Sequence, residues 1–82
     1  MFVRYSVLLE AIAEPGFEGY YYAHIPTLGL TTQGLGIEGA LAAAQELAGV
    51  WLAEKLAHGE TVPPENTALF AQIDVSDAVH GA

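Results

Sequence analysis

The sequence predicts an α+β domain of order β-β-β-α-β: an antiparallel three-stranded meander, one helix laid on one face of it, and a fourth strand after the helix. Three observations predict it. Apolar residues recur at every second position in "FVRYSVLLEAI", "YYYAHI" and "ALFAQIDV", the period of a half-buried strand. Between them, Ile37 to Ala57 carries apolar residues at three- and four-residue spacing, the period of one helix face. Short glycine- and proline-bearing turns separate the first three strand segments, so sequential neighbours can pair as hairpins.

In the first segment Val3, Tyr5, Val7 and Leu9 share one face, opposite Arg4, Ser6 and Glu10. Pro15-Gly16 and Gly19 mark the turn that follows. The second strand is Tyr20 to Ile25, with Tyr21, Ala23 and Ile25 on one face and Tyr20, Tyr22 and His24 on the other. Pro26 lacks an N–H for the ladder and ends it. After Leu28-Gly29, "LTTQG" reads as a short third strand whose threonines suit a half-exposed sheet.

The helix stripe is Ile37, Ala40, Leu41, Ala44, Leu47, Ala48, Trp51 and Leu52, and Trp51 is read as core. Gly36 stands at the N-cap position. Glu38 in the first turn and Lys55 and His58 at the far end suit the helix dipole, and Gly59 supplies a stop. "GETVPPEN" is a polar connector. In the expected fourth strand, Leu69, Ala71, Ile73 and Val75 form a row opposite Phe70, Gln72 and Asp74. The domain is expected to span residues 1–76, with 77–82 a frayed tail.

Eighty-two residues make one small core, burying about 60% of the unfolded surface. Hydrophobic residues make up 52% and charged ones only 15%, which points to apolar surface covered by another chain or copy. The net charge is −8, with Arg4 and Lys55 the only Lys or Arg. Two cations cannot track a phosphate backbone, so direct nucleic-acid binding is not expected, whereas a basic protein partner is. No cysteine is present, which removes disulfides and thiolate metal sites. No apolar run approaches the roughly 20 residues of a membrane span, and the N-terminal run is broken by Arg4, Ser6 and Glu10, unlike a signal peptide. The expected location is cytoplasmic.

The order and spacing of "GYYYAHIPTLGLTTQG", "IEGALAAAQELAGVWLAE" and "GETVPPEN" resemble the HicB-type antitoxin domain over about residues 3 to 75. The family shows a glycine-tyrosine strand ending in Pro-Asp-Leu-Pro-Gly, a Thr-x-Gly turn, a helix beginning Glu-Glu-Ala and a Gly-x-x-x-Pro-x-Pro connector. Gly19 and Tyr20 match the strand start, Pro26, Leu28 and Gly29 the loop, Thr32 and Gly34 the turn, and Ala40 and Ala44 the small residues under the helix. The resemblance implies a partial RNase H-like fold without nuclease activity. It also implies self-association as a dimer or tetramer, and a partner: a small basic HicA-type mRNA-cleaving toxin. There are three departures. A proline is missing between Leu28 and Gly29, Leu35-Gly36 replaces the usual Asp-Thr or Asp-Ser, and no C-terminal DNA-binding segment is expected after Val75.

No catalytic, cofactor-binding or metal-ligating residue is assigned. A general base or metal ligand needs companions converging on it, and no acid or histidine stands at helical or hairpin spacing from His24. His24 is therefore read as a strand-surface or interface histidine. A two-metal nuclease needs several gathered carboxylates, and only Glu10 and Asp74 fall on expected strands. "GLGIEGA" lacks both GxGxxG and a Walker lysine and reads as a tight turn. The candidate partner or oligomer contacts are Tyr20, Tyr22, His24, Pro26 and Leu28, because tyrosines alternating on a strand put a ring on each face and such rings are enriched at interfaces. An orphan homo-oligomer with a structural or ligand-binding role is the alternative function, and a metal-dependent hydrolase a further one.

Overall fold

The computed structural model describes residues 3–66 and 68–76. The expected frayed tail, with His80, lies outside them. The chain is α+β, with elements β1 (Leu8–Ala11), β2 (Tyr20–Ile25), β3 (Leu30–Leu35) and α1 (Gly36–Ala57). The strands form one antiparallel sheet of order β1-β2-β3. Leu8 pairs with His24 and Ala11 with Tyr21, while Tyr20 pairs with Leu35 and Ile25 with Leu30.

β2 occupies the expected residues. β1 is shorter than expected. Residues 3–8 alternate in exposure as a strand would, but the register that sets Leu8 against His24 leaves Ser6 facing Pro26, which has no N–H to share. The Ser6 N–H goes instead to the Glu65 carboxylate, 2.8 Å away. Thr32 and Gly34, matched to a turn by the family resemblance, lie inside β3, as the strand reading of "LTTQG" expects, and the helix starts at Gly36, with Leu35 in place of the expected Gly36 as its N-cap. The expected fourth strand is the main correction. Residues 68–76 carry no regular structure and are exposed throughout, with Leu69 88% and Ile73 85% accessible. A strand needs a neighbour for its N–H and C=O groups, and this segment has none among the described residues.

Ala23, Ile25, Ala40 and Ala44 form the buried centre, between the sheet and α1. Tyr5, Val7, Leu9, Tyr21, Leu28 and Leu30 lean on it. Small residues allow the close approach: a Cβ on Gly34 would stand 2.6 Å from the Ala40 nitrogen, which no side chain could occupy. At the far end the Glu60 N–H reaches the Lys55 carbonyl at 2.9 Å and the Gly59 N–H that of Leu56 at 3.0 Å. These two bonds make the Schellman closure that Gly59 leads one to expect.

The helix packs chiefly over β3 and β2. Twenty-two residues give it a length of about 33 Å, against about 20 Å for a six-residue strand, so its C-terminal part overhangs the sheet. Trp51, expected in the core, is only half-buried, and the Lys55 ammonium sits 5.0 Å from its ring centroid. The chain exposes 6418 Å² in all, against roughly 4,700 Å² for a compact monomer of its mass.

Candidate interaction surface

The sheet has two unlike faces. Ala23 and Ile25 are buried against α1, so strand alternation turns Tyr20, Tyr22 and His24 to the opposite face. By the ladder register, Leu8 and Glu10 of β1 and Thr31, Gln33 and Leu35 of β3 share that face. Leu35 is 63% exposed. Two aromatic contacts order it: Tyr22 and His24 lie 5.8 Å apart, and Phe17 meets Tyr20 edge-on at 5.8 Å.

His24 has companions that sequence spacing did not reveal. Its Nε2 lies 3.0 Å from Glu10 Oε1 and its Nδ1 3.0 Å from Thr31 Oγ1. A carboxylate only accepts, so in the neutral ring Nε2 carries the proton and Nδ1 accepts from the Thr31 hydroxyl. Glu10 is opposite Tyr22, not His24, so this is a diagonal cross-strand pair, visible only once the register is known. The row Glu10–His24–Thr31 pins all three strands on an exposed surface. It lines neither of the two grooves described below.

The five candidate contacts are not brought together on one face. Tyr20, Tyr22 and His24 share the open face, and Pro26 is exposed at the turn that follows. Leu28 packs against the core instead, because the chain folds back after β2: the Leu28 and Gly29 N–H groups both return to the Ile25 carbonyl, at 3.1 and 2.9 Å. Of the two acids expected on strands, Glu10 is engaged with His24, and Asp74 lies in the unpaired segment. Among the described residues no three His, Asp or Glu side chains gather closely enough to hold a metal ion, and no helix is long and apolar enough to cross a membrane.

A second feature that sequence reasoning missed is the anchoring of the connector. Glu65 Oε2 accepts from both the N–H and the hydroxyl of Ser6, and Oε1 accepts from the Thr27 hydroxyl at 2.6 Å. The Asn66 N–H then donates to Thr27 Oγ1 at 3.2 Å, and the Tyr5 hydroxyl donates to the Pro63 carbonyl at 2.6 Å. The Ser6 hydroxyl, then that of Thr27, stabilise the ionised Glu65 and hold its carboxyl below the usual carboxylate range. Nothing in "PPEN" marks its glutamate as different from the other acids. Its role depends on residues 59 and 38 positions away.

Beside this anchor lies an apolar groove of about 620 Å³, lined on the sheet side by Tyr5, Val7 and Ile25 and on the helix side by Leu41, Ala48 and Leu52. A smaller one, of about 400 Å³, lies by Trp51, Lys55 and His58. There His58 Nδ1 donates to the Glu54 carbonyl at 2.8 Å, which also accepts the His58 N–H at 3.1 Å. No protein-family model, curated protein or solved structure matches the chain.

Proposed function

We propose that the chain is a HicB-like antitoxin domain that works in the cytoplasm by binding and neutralising a small basic HicA-type mRNA-cleaving toxin. The observation that carries the reading is the division of the sheet. One face is closed by α1, and the other presents Tyr20, Tyr22 and His24, held flat by the Glu10–His24–Thr31 row. A pre-ordered aromatic surface loses little side-chain freedom on binding. A chain of net charge −8 draws a basic partner in and repels nucleic acid. The partial RNase H-like fold of such a domain would be completed when residues 68–75 find a strand to pair with. The test is co-expression with a small basic ribonuclease encoded beside this chain. The expected result is a complex that co-purifies and in which RNA cleavage is suppressed. A ribonuclease that stays fully active in the presence of excess chain overturns the proposal.

A second reading, an orphan homo-oligomer with a structural or ligand-binding role, draws support from the thin core and the exposed apolar segment. It predicts stable self-assembly with no toxin bound, and light scattering combined with the same co-purification separates the two.

A further inference from the structure

Three observations meet at one edge of the sheet. The first is a segment without a partner. Leu69, Ile73 and Val75 are 88, 85 and 60% exposed, yet with Ala71 they form the strict alternation of a half-buried strand. The second is a strand edge without a neighbour among the described residues: β1 pairs there only with β2, so its outer N–H and C=O groups are open to a further strand. The third is a space without an occupant. α1 lies over β3 and β2, and the groove lined by Tyr5, Val7, Leu41 and Leu52 is where a strand placed beside β1 would direct its inward side chains. The β3 edge offers no such room, because α1 already covers its inner side.

We propose that residues 68–75 are the fourth strand of a second copy of this chain: each copy lays its segment along the other's β1 edge, with Leu69, Ala71, Ile73 and Val75 filling the groove under α1. The chain leaves its own β1 edge open with the segment uncovered, and a second copy is the partner that supplies an identical edge and groove. Glu65 and Asn66 are tied to Ser6 and Thr27, so the segment leaves from a fixed point, and from there it runs with its apolar residues uncovered. Eight extended residues reach about 26 Å, enough to follow β1 and the residues leading into it. The contact is reciprocal, the same segment on the same edge in both copies, so it closes as a two-fold dimer and does not propagate. Covering both segments and both grooves removes on the order of 2,000 Å² from water, at or above the size of a standard specific interface.

Charge agrees with this arrangement. Asp74 is the only charged residue between 68 and 76. It falls in the row opposite the apolar one, and Arg4, one of the chain's two Lys or Arg residues, is among the residues bordering the groove. The net −8 of each copy opposes association, which an almost uncharged exchanged segment minimises.

The proposal deepens the self-association part of the reading above and does not need the toxin. Its test is the mass of the full chain in solution by light scattering after size exclusion, at tens of micromolar. Twice the chain mass is expected. Termination after Asn66, and separately the pair Leu69→Asp and Ile73→Asp, are expected to return the chain mass with the helical circular dichroism kept, since 68–76 lie outside the packed body. A wild-type monomer overturns the exchange, as it would if the segment folded onto its own β1. So does a dimer that survives both variants. Either result leaves toxin binding open, because that is read from co-purification and RNA cleavage.

Discussion

Gly34 of β3 and Gly39 of α1 meet backbone to backbone. A side chain on Gly34 would run into the Gly39 carbonyl group and stand 2.6 Å from the Ala40 nitrogen, whereas a Cβ on Gly39 would rest at 3.6 Å from the Gly34 carbonyl carbon. The contact is therefore one-sided, and the two alanine substitutions should differ in sign. Gly34→Ala must push the helix off the sheet, with a loss of about 3 kcal/mol or more, since the obstacle is backbone and not a movable side chain. Gly39→Ala fits by ordinary contact and removes a helix-interior glycine, worth up to about 1 kcal/mol in the stabilising direction. Urea unfolding of the two variants checks this. Equal losses would mean that the helix does not sit this close.

The Glu65 anchor should make the docking of the connector sensitive to acid. Its carboxyl is held below the usual range by the Ser6 and Thr27 hydroxyls. The unfolded chain therefore binds a proton more readily than the folded one. This contribution is fully present above the ordinary glutamate value of about 4.3 and is lost as pH falls through the lower folded value. Thermal unfolding followed from pH 7 to pH 3 should show a decline that Glu65→Gln reduces. Ser6→Ala should reproduce part of that change, as it removes the hydroxyl that acts most strongly on Glu65. A decline unchanged in Glu65→Gln would assign it to other acids.

The open sheet face should carry partner affinity without carrying stability. Tyr22 and His24 stand on the face away from the buried centre, so Tyr22→Ala should leave the unfolding midpoint close to the parent's, and His24→Ala should lower it only by the exposed Glu10 and Thr31 bonds it removes. If the proposed basic partner binds this face, each should weaken that binding tenfold or more, as anchors at the centre of an interface do. Calorimetric titration against the purified partner measures this. Loss of folding in step with loss of binding would argue that these rings are structural.

Association with a basic partner should be steered by charge. A chain of net −8 meeting a cationic protein is expected to associate at least tenfold more slowly at 0.5 M salt than at 0.05 M, as the Debye length shrinks from about 14 to about 4 Å. Stopped-flow or surface-based kinetics read this directly. A flat salt dependence would remove steering from the account.

Much of the fold was legible because it is written locally. β2 was readable to the residue: three aromatics alternate with a core row and are bracketed by Gly19 and Pro26. The helix was readable to within one residue, because its apolar stripe from Ile37 to Leu52 is followed by Lys55 and the Gly59 stop. The candidate site was legible in part. Tyr20, Tyr22 and His24 share a face because alternation alone requires it, but that this face stays open was decided by where α1 packs. Leu28 turned inward because the turn after Pro26 folds back on the Ile25 carbonyl. The Glu10–His24 pair and the Glu65 anchor link residues 14 to 59 positions apart, and no local pattern records such links.

By itself, then, the chain of residues determined the strand periods, the span of the helix, the acidic balance and the placing of small residues where helix and sheet meet. Only the tertiary structure decided which of the strand-like segments became strands. A helix satisfies its backbone within its own turns, so a local stripe and its caps suffice to specify one. A strand must borrow its hydrogen bonds from a neighbour, and "ALFAQIDV", with a period as regular as that of β2, stays unpaired because no strand among the described residues lies beside it.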